Sequence, residues 1–189
     1  MASGSRSHTT PPRIAMLYAG IDNGLSGAIA FLDSTPCSKP FDMRPLPLQS
    51  VGKRQEVDVV KLWEFIIPRI STGNIETVRW AHTSQITVII EECSYHQPSH
   101  AAMRSQALSY GKLTALLEIK GMRFIAVQAQ KWQKDLLGKL PAGTTKEAAL
   151  GLARRLWPSE TFIPEGCRKV SDGLVDAALL CEYARRNNL

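Results

Sequence analysis

The chain has 189 residues, 44% of them hydrophobic, and carries 23 Lys and Arg against 17 Asp and Glu, a formal charge of +6 with a pI near 9.3. That length folds as one domain with a substantial core, and the basic excess favours a polyanionic partner such as nucleic acid over a merely solvated surface. No apolar run approaches the roughly 20 residues a membrane helix needs, so no membrane association is expected.

Cys37, Cys93, Cys167 and Cys181 are scattered, with no CxxC pair and no Cys/His cluster. Zinc and a disulfide framework are therefore not expected, and reduced thiols in an intracellular compartment are. The opening MASGSRSHTTPPR is polar, basic and proline-tipped, without the apolar centre of a secretory signal. Residues 1–13 read as a disordered arm and 14–189 as the folded domain. A tag remnant or the stub of a transit peptide into an organelle is the other reading of the arm.

The stretch Tyr18 to Asp33 reads as a strand, a glycine turn and a second strand, since apolar residues flank Asn23, Gly24 and Gly27. Asp22 stands where the first strand ends. On this segment alone it serves equally well as a turn former or as a rigidly held metal ligand.

Pro36 to Pro47 suits an edge strand or an irregular connection, and Gln49 to Gln55 is polar and basic. Val57 to Ile70 has the apolar spacing of a helix on a sheet, with Asp58 as the cap of its first turn. Ser71 to Ser84 reads as a loop with a short helical piece. Gln85 to Glu92 contains ITVII, a buried strand that delivers Glu91 and Glu92 to a sheet edge, where alternation lets only one of them face Asp22's side.

Cys93 to His100 is a polar and aromatic loop bearing Tyr95 and His96. Ala101 to Lys120 follows as a long helix, with Met103, Leu108, Leu113, Leu116 and Leu117 as an inward stripe and Gly111 marking a close backbone approach. Met122 to Val127 is a short strand, and Ala129 to Leu137 a short helix with Lys131, Trp132 and Lys134. Thr145 caps a helix from Lys146 to Trp157 that bears Arg154 and Arg155. Lys131, Trp132, Lys134, Lys146, Arg154 and Arg155, clustered after the last strand, are candidates to line a nucleic-acid path.

The last helix, Ser171 to Asn187, has Ser171 as N-cap and Asp172 and Asp176 one turn apart on one face. The helix dipole accounts for Asp172 but not for Asp176, which heads the apolar run Ala177 to Leu180. Acids collected at one sheet edge repel one another, and divalent cations resolve that. Two hard ions about 4 Å apart are a standard means of hydrolysing a phosphodiester. No GxxxxGK[ST] motif is present, which excludes P-loop chemistry.

GIDNGLSGAIAFLD, VIIEECS, LSYG opening a helix, QAQKW and DGLVDAALLCEYA, in this order and spacing, resemble the RuvC-type Holliday-junction resolvases, especially their phage-like and plastid relatives. The resemblance runs from about Leu17 to Ala184. It implies an α/β, RNase H-like fold, a five-stranded mixed sheet flanked by helices, with Asp22 on the first strand and Glu91 on the fourth. It further implies that Asp22, Glu91, Asp172 and Asp176 hold two Mg2+ ions, with Mn2+ able to substitute, and that a homodimer cuts four-way junction DNA by paired symmetric nicks.

Ala101 to Lys120 is then the candidate interface helix, and Tyr95 and His96 lie on a loop that in the family carries an aromatic residue near the crossover. Three features depart from the family pattern. Asp172 and Asp176 are four apart where bacterial RuvC spaces its last two acids three apart, Tyr95 falls a position later than the loop aromatic of bacterial RuvC, and Asn23 replaces the usual proline, a change expected to have no consequence. The rival readings are another RNase H-like nuclease acting on RNA or replication forks, and a noncatalytic DNA-binding module. Half of an actin-like or sugar-kinase ATPase would need a second domain for which the length leaves no room.

Overall fold

A computed structural model describes residues 16–35, 37–70, 86–94 and 99–189. The expected loop from Ser71 to Ser84 and the residues Tyr95 and His96 lie outside these. Strands β1 (Leu17–Asp22), β2 (Ala28–Asp33), β3 (Phe41–Pro45), β6 (Ile86–Glu91) and β7 (Phe124–Val127) form a five-stranded sheet in the order β3-β2-β1-β6-β7. The first three strands meander antiparallel, whereas β6 runs parallel to β1 and β7 parallel to β6. With helices α1 (Val59–Ile70), α2 (His100–Ile119), α3 (Ala129–Leu137), α4 (Thr145–Leu156) and α5 (Asp172–Asn187) on its two faces, this is the five-stranded mixed sheet expected.

Alternation along β1 sorts the core into two halves. Ala19 and Ile21 join Leu62, Phe65, Ile66, Leu113 and Leu117 beneath α1 and α2. Tyr18 joins Ala30, Ile89, Trp132, Leu152 and Leu179 beneath α3, α4 and α5. The central strands are apolar on both faces because both are covered.

Several local expectations hold. Asp58 Oδ1 accepts from the Val60 and Lys61 amides at 3.2 and 3.1 Å, the cap of α1, and Ser171 Oγ accepts from the Leu174 amide at 3.4 Å at the start of α5. Others need correction. Gln49 to Gln55 belongs to a separate hairpin, β4 (Leu48–Val51) and β5 (Arg54–Val57), turned at Gly52 with φ +61°. Its polar character hid its strands.

Thr145 is the first residue of α4 rather than its cap; Thr144 precedes it and makes no side-chain cap hydrogen bond. On α2 only Ser109, Leu113 and Leu117 are buried, and Leu108 is 41% exposed, so the inward stripe is narrower than its apolar residues suggest. Gly111 faces open space, with nothing within 4 Å of where a Cβ would stand, so no close approach explains it.

Candidate active site

Because β1 and β6 are parallel neighbours, their carboxyl ends emerge at the same sheet edge. Asp22 ends β1 and Glu91 ends β6. Tyr18 and Ile89 belong to the core beneath α5, so Asp22 and Glu91, an even number of residues further on, point to that same side. Edges of this kind, outside the carboxyl ends of parallel strands, are where open α/β sheets bind ligands.

Helix α5 starts at this edge and lies flush on β1 and β2. Two glycines make that possible. A Cβ on Gly20 would stand 2.0 Å from the Ala177 carbonyl oxygen, and one on Gly173 would stand 2.4 Å from that of Ser26 and 3.1 Å from Asp22 Oδ2. Between these contacts sits Asp176, half-buried among residues that are otherwise buried from Gly173 to Ala184. Asp172, one turn earlier, is exposed.

The electrostatics follow from this crowding. Burial, then the charges of Glu91, Asp176 and Asp172, push the pKa of Asp22 well above the usual carboxylate range. Burial followed by Glu91 and Asp172 raises that of Asp176 to about 7, against a lowering by Lys146. Glu91 is raised by burial and partly relieved by a hydrogen bond from Trp132 Nε1 to its Oε2 at 3.0 Å. Lys146 Nζ, at the start of α4, lies 2.6 Å from Asp172 Oδ2. Both side chains are largely exposed, so the pair adds little stability.

A structure of Thermus thermophilus RuvC in complex with a Holliday junction substrate is similar over 91% of this chain and 96% of that one, at 15% identity and a TM-score of 0.50. The chain has the fold of RuvC. A second T. thermophilus RuvC structure is similar over 92% of this chain and 97% of that one, at 17% identity and a TM-score of 0.49. No family model and no curated protein matches the sequence.

Within the RuvC fold, Asp22, Glu91, Asp172 and Asp176 are brought to one edge close enough to perturb one another. Among the described residues no three His, Cys, Asp or Glu side chains are drawn together tightly enough to enclose an ion. The donor set nevertheless fits hard divalent cations by its chemistry, since it is all carboxylate oxygen. Asp22, moreover, has no side-chain hydrogen bond or ion pair among the described residues to offset its burial.

The basic candidates divide. Lys131, Lys134, Arg154 and Arg155 are exposed. Lys146 engages Asp172, and Arg154 and Arg155 stand two turns and more beyond it on α4, about 12 Å along the axis. Trp132 is 0% exposed and packed in the α5-side core, which removes it as a DNA contact. An indole between two lysines looked like part of a binding face, but the helical turn that exposes Lys131 and Lys134 directs Trp132 inward.

Asn23 is the residue that sequence reasoning passed over. It is 3% exposed, and its Nδ2 donates to the Glu91 carbonyl oxygen at 2.5 Å. The signal was its departure from the family's proline, a residue that could not make this bond.

Proposed function

We propose that this protein is a divalent-metal-dependent, structure-selective endodeoxyribonuclease that cuts four-way junction DNA by paired symmetric nicks. What carries this reading is the convergence of Asp22, Glu91, Asp172 and Asp176 at the carboxyl edge of a RuvC-fold sheet. A noncatalytic DNA-binding module has no use for acids so placed, because their repulsion destabilises it and their charge opposes phosphate.

Asp22, Glu91 and Asp176 would hold Mg2+, or Mn2+ in its place, two ions per site, with Asp172 joining if it leaves Lys146. Ions bound there supply activation of a water molecule and stabilisation of the leaving oxygen of a phosphodiester. Asp176, pushed up to about 7 by burial and then by Glu91 and Asp172, would have to give up its proton for the site to load, so metal affinity should rise with pH through about 7; Asp22 is raised in the same direction. Exposed Lys131, Lys134, Arg154 and Arg155 meet the phosphates of the arms by charge.

A homodimer through α2 supplies the second nick. The exposed Leu108 and Ile119, 41% and 81% accessible, support this interface.

The test is cleavage of a synthetic four-way junction beside matched duplex, a replication fork and an RNA–DNA hybrid, with Mg2+ or with EDTA. Junction cutting that requires the metal is expected. Asp22→Asn should lower its rate about a thousand-fold, the several kcal/mol that metal stabilisation of the transition state contributes, and leave junction binding intact. Full activity of Asp22→Asn would overturn the site, and preference for the fork or the hybrid would replace the junction as substrate.

A further inference from the structure

Glu91 is held at two points by residues to which the metal-site reading gives no role. The β1–β6 ladder closes with Ile21 opposite Ile90, so Asp22 and Glu91 stand just past its last pair. Asn23 carries the tie onward through its side chain, with Nδ2 donating to the Glu91 carbonyl oxygen at 2.5 Å.

On the other flank, Glu91 lies opposite Val127 in the β6–β7 register, and the Glu92 amide donates to the Val127 carbonyl at 2.9 Å. The chain turns directly from Val127 into α3. One turn into that helix, Trp132 comes back over Glu91, and its Nε1 donates to Oε2 at 3.0 Å. Oε1 is left without a partner among the described residues.

Neither contact is what stability alone would select. Asn23 Oδ1 is buried with no hydrogen-bond partner among the described residues, a desolvation penalty that an apolar residue at this place would not incur. An indole N–H in the core needs an acceptor, but one supplied by a half-buried carboxylate at a sheet edge also fixes that carboxylate's rotamer.

We propose that Asn23 and Trp132 are positioning residues that set Glu91 for metal binding, Asn23 by fixing its main chain beside Asp22 and Trp132 by fixing its carboxylate so that Oε1 faces the site. This rests on the reading of the acids as a metal site. Groups that orient metal-binding side chains in this way change metal affinity by about 10- to 100-fold when removed.

The experiment titrates Mn2+ against the melting temperature of the full chain, with no nucleic acid present. Wild-type protein should melt higher as Mn2+ is added. Trp132→Phe, which keeps a large ring and loses the N–H, and Asn23→Ala should each need about 10- to 100-fold more Mn2+ for half the rise. In EDTA each should melt within a few degrees of wild type.

In a Glu91→Gln background Trp132→Phe should add nothing to the Mn2+ requirement, since both act on one interaction. A merely structural tryptophan would instead lower the EDTA melting temperature equally in both backgrounds and leave the Mn2+ midpoint alone, which would overturn the proposal. Should Trp132→Phe fail to fold, Asn23→Ala decides: an unmoved midpoint overturns it. No Mn2+-induced rise in wild-type protein would overturn the metal-site reading and the proposal with it, whereas a wild-type rise that both variants share overturns the positioning roles alone.

Discussion

The two faces of the sheet are built to different tolerances. On one, α5 is buried along almost its whole length and meets β1 at Gly20 and the turn after β1 at Gly173, where only glycine fits. On the other, the 20-residue α2 buries only Ser109, Leu113 and Leu117, leaving Leu108 and Ile119 exposed. The tight face carries Asp22, Glu91 and Asp176, and the loose face carries none of the candidate acids. Acids that must hold their places against mutual repulsion need a backbone that cannot yield, and backbone-to-backbone packing through glycine supplies one.

The sharpest way to break this contrast is to make the same substitution on both faces. Gly20→Ala forces a Cβ into the Ala177 carbonyl. It should destabilise by about 3 kcal/mol or more and lower the melting temperature by roughly 6–12 °C. Gly111→Ala, in open space within α2, should instead stabilise by about 0.5–1 kcal/mol, because alanine is the better helix former. Equal effects in thermal melts would erase the distinction.

A smaller effect tests whether the tight face holds its carboxylates against burial and, after it, the charge of their neighbours. The folded pKa of Asp176, about 7, lies above its unfolded value near 4, and that of Asp22 is raised in the same direction. Between those limits the folded state binds more protons than the unfolded one, so stability in EDTA should fall as pH rises from about 4 to 7. Asp176→Asn removes one repelling charge and should melt roughly 3–6 °C above wild type at pH 8 in EDTA, with the gap closing at pH 4. A variant that melts lower than wild type at pH 8 would show that the carboxylate makes a favourable contact there instead.

The smallest expected effect concerns the exposed rim. Lys134→Ala should reduce the slope of log affinity against log salt for a four-way junction by about 0.9, one phosphate contact on a duplex arm. Val60→Ala, an exposed position on α1 across the sheet, should leave the slope unchanged. An unaltered slope for Lys134→Ala would leave it a solvated lysine.

Much of this was open to reading from the chain alone. The apolar residues that flank Asn23, Gly24 and Gly27, and the short ITVII run, mark strands and their ends, because turn residues and apolar runs act through local backbone geometry. Ser171 before Asp172 starts α5 through a cap that involves only near neighbours. Asp22 and the pair Glu91 and Glu92 could be singled out as acids at strand ends for the same reason, and Asp176 as the acid heading an apolar run, whereas only the family resemblance chose Glu91 over Glu92.

The tertiary structure decided what depends on contact between distant residues. Trp132 reads as a surface aromatic between lysines until α3 turns it onto Glu91, 41 positions away. Asn23 reads as a turn residue until its amide meets the Glu91 carbonyl, 68 positions away. Gly20 and Gly111 look alike in sequence, yet one touches a helix backbone and the other nothing. Burial, the pairing of Lys146 with Asp172 and the raised pKa of Asp176 belong to the same class, since each is a property of what the fold brings close and not of the residue itself.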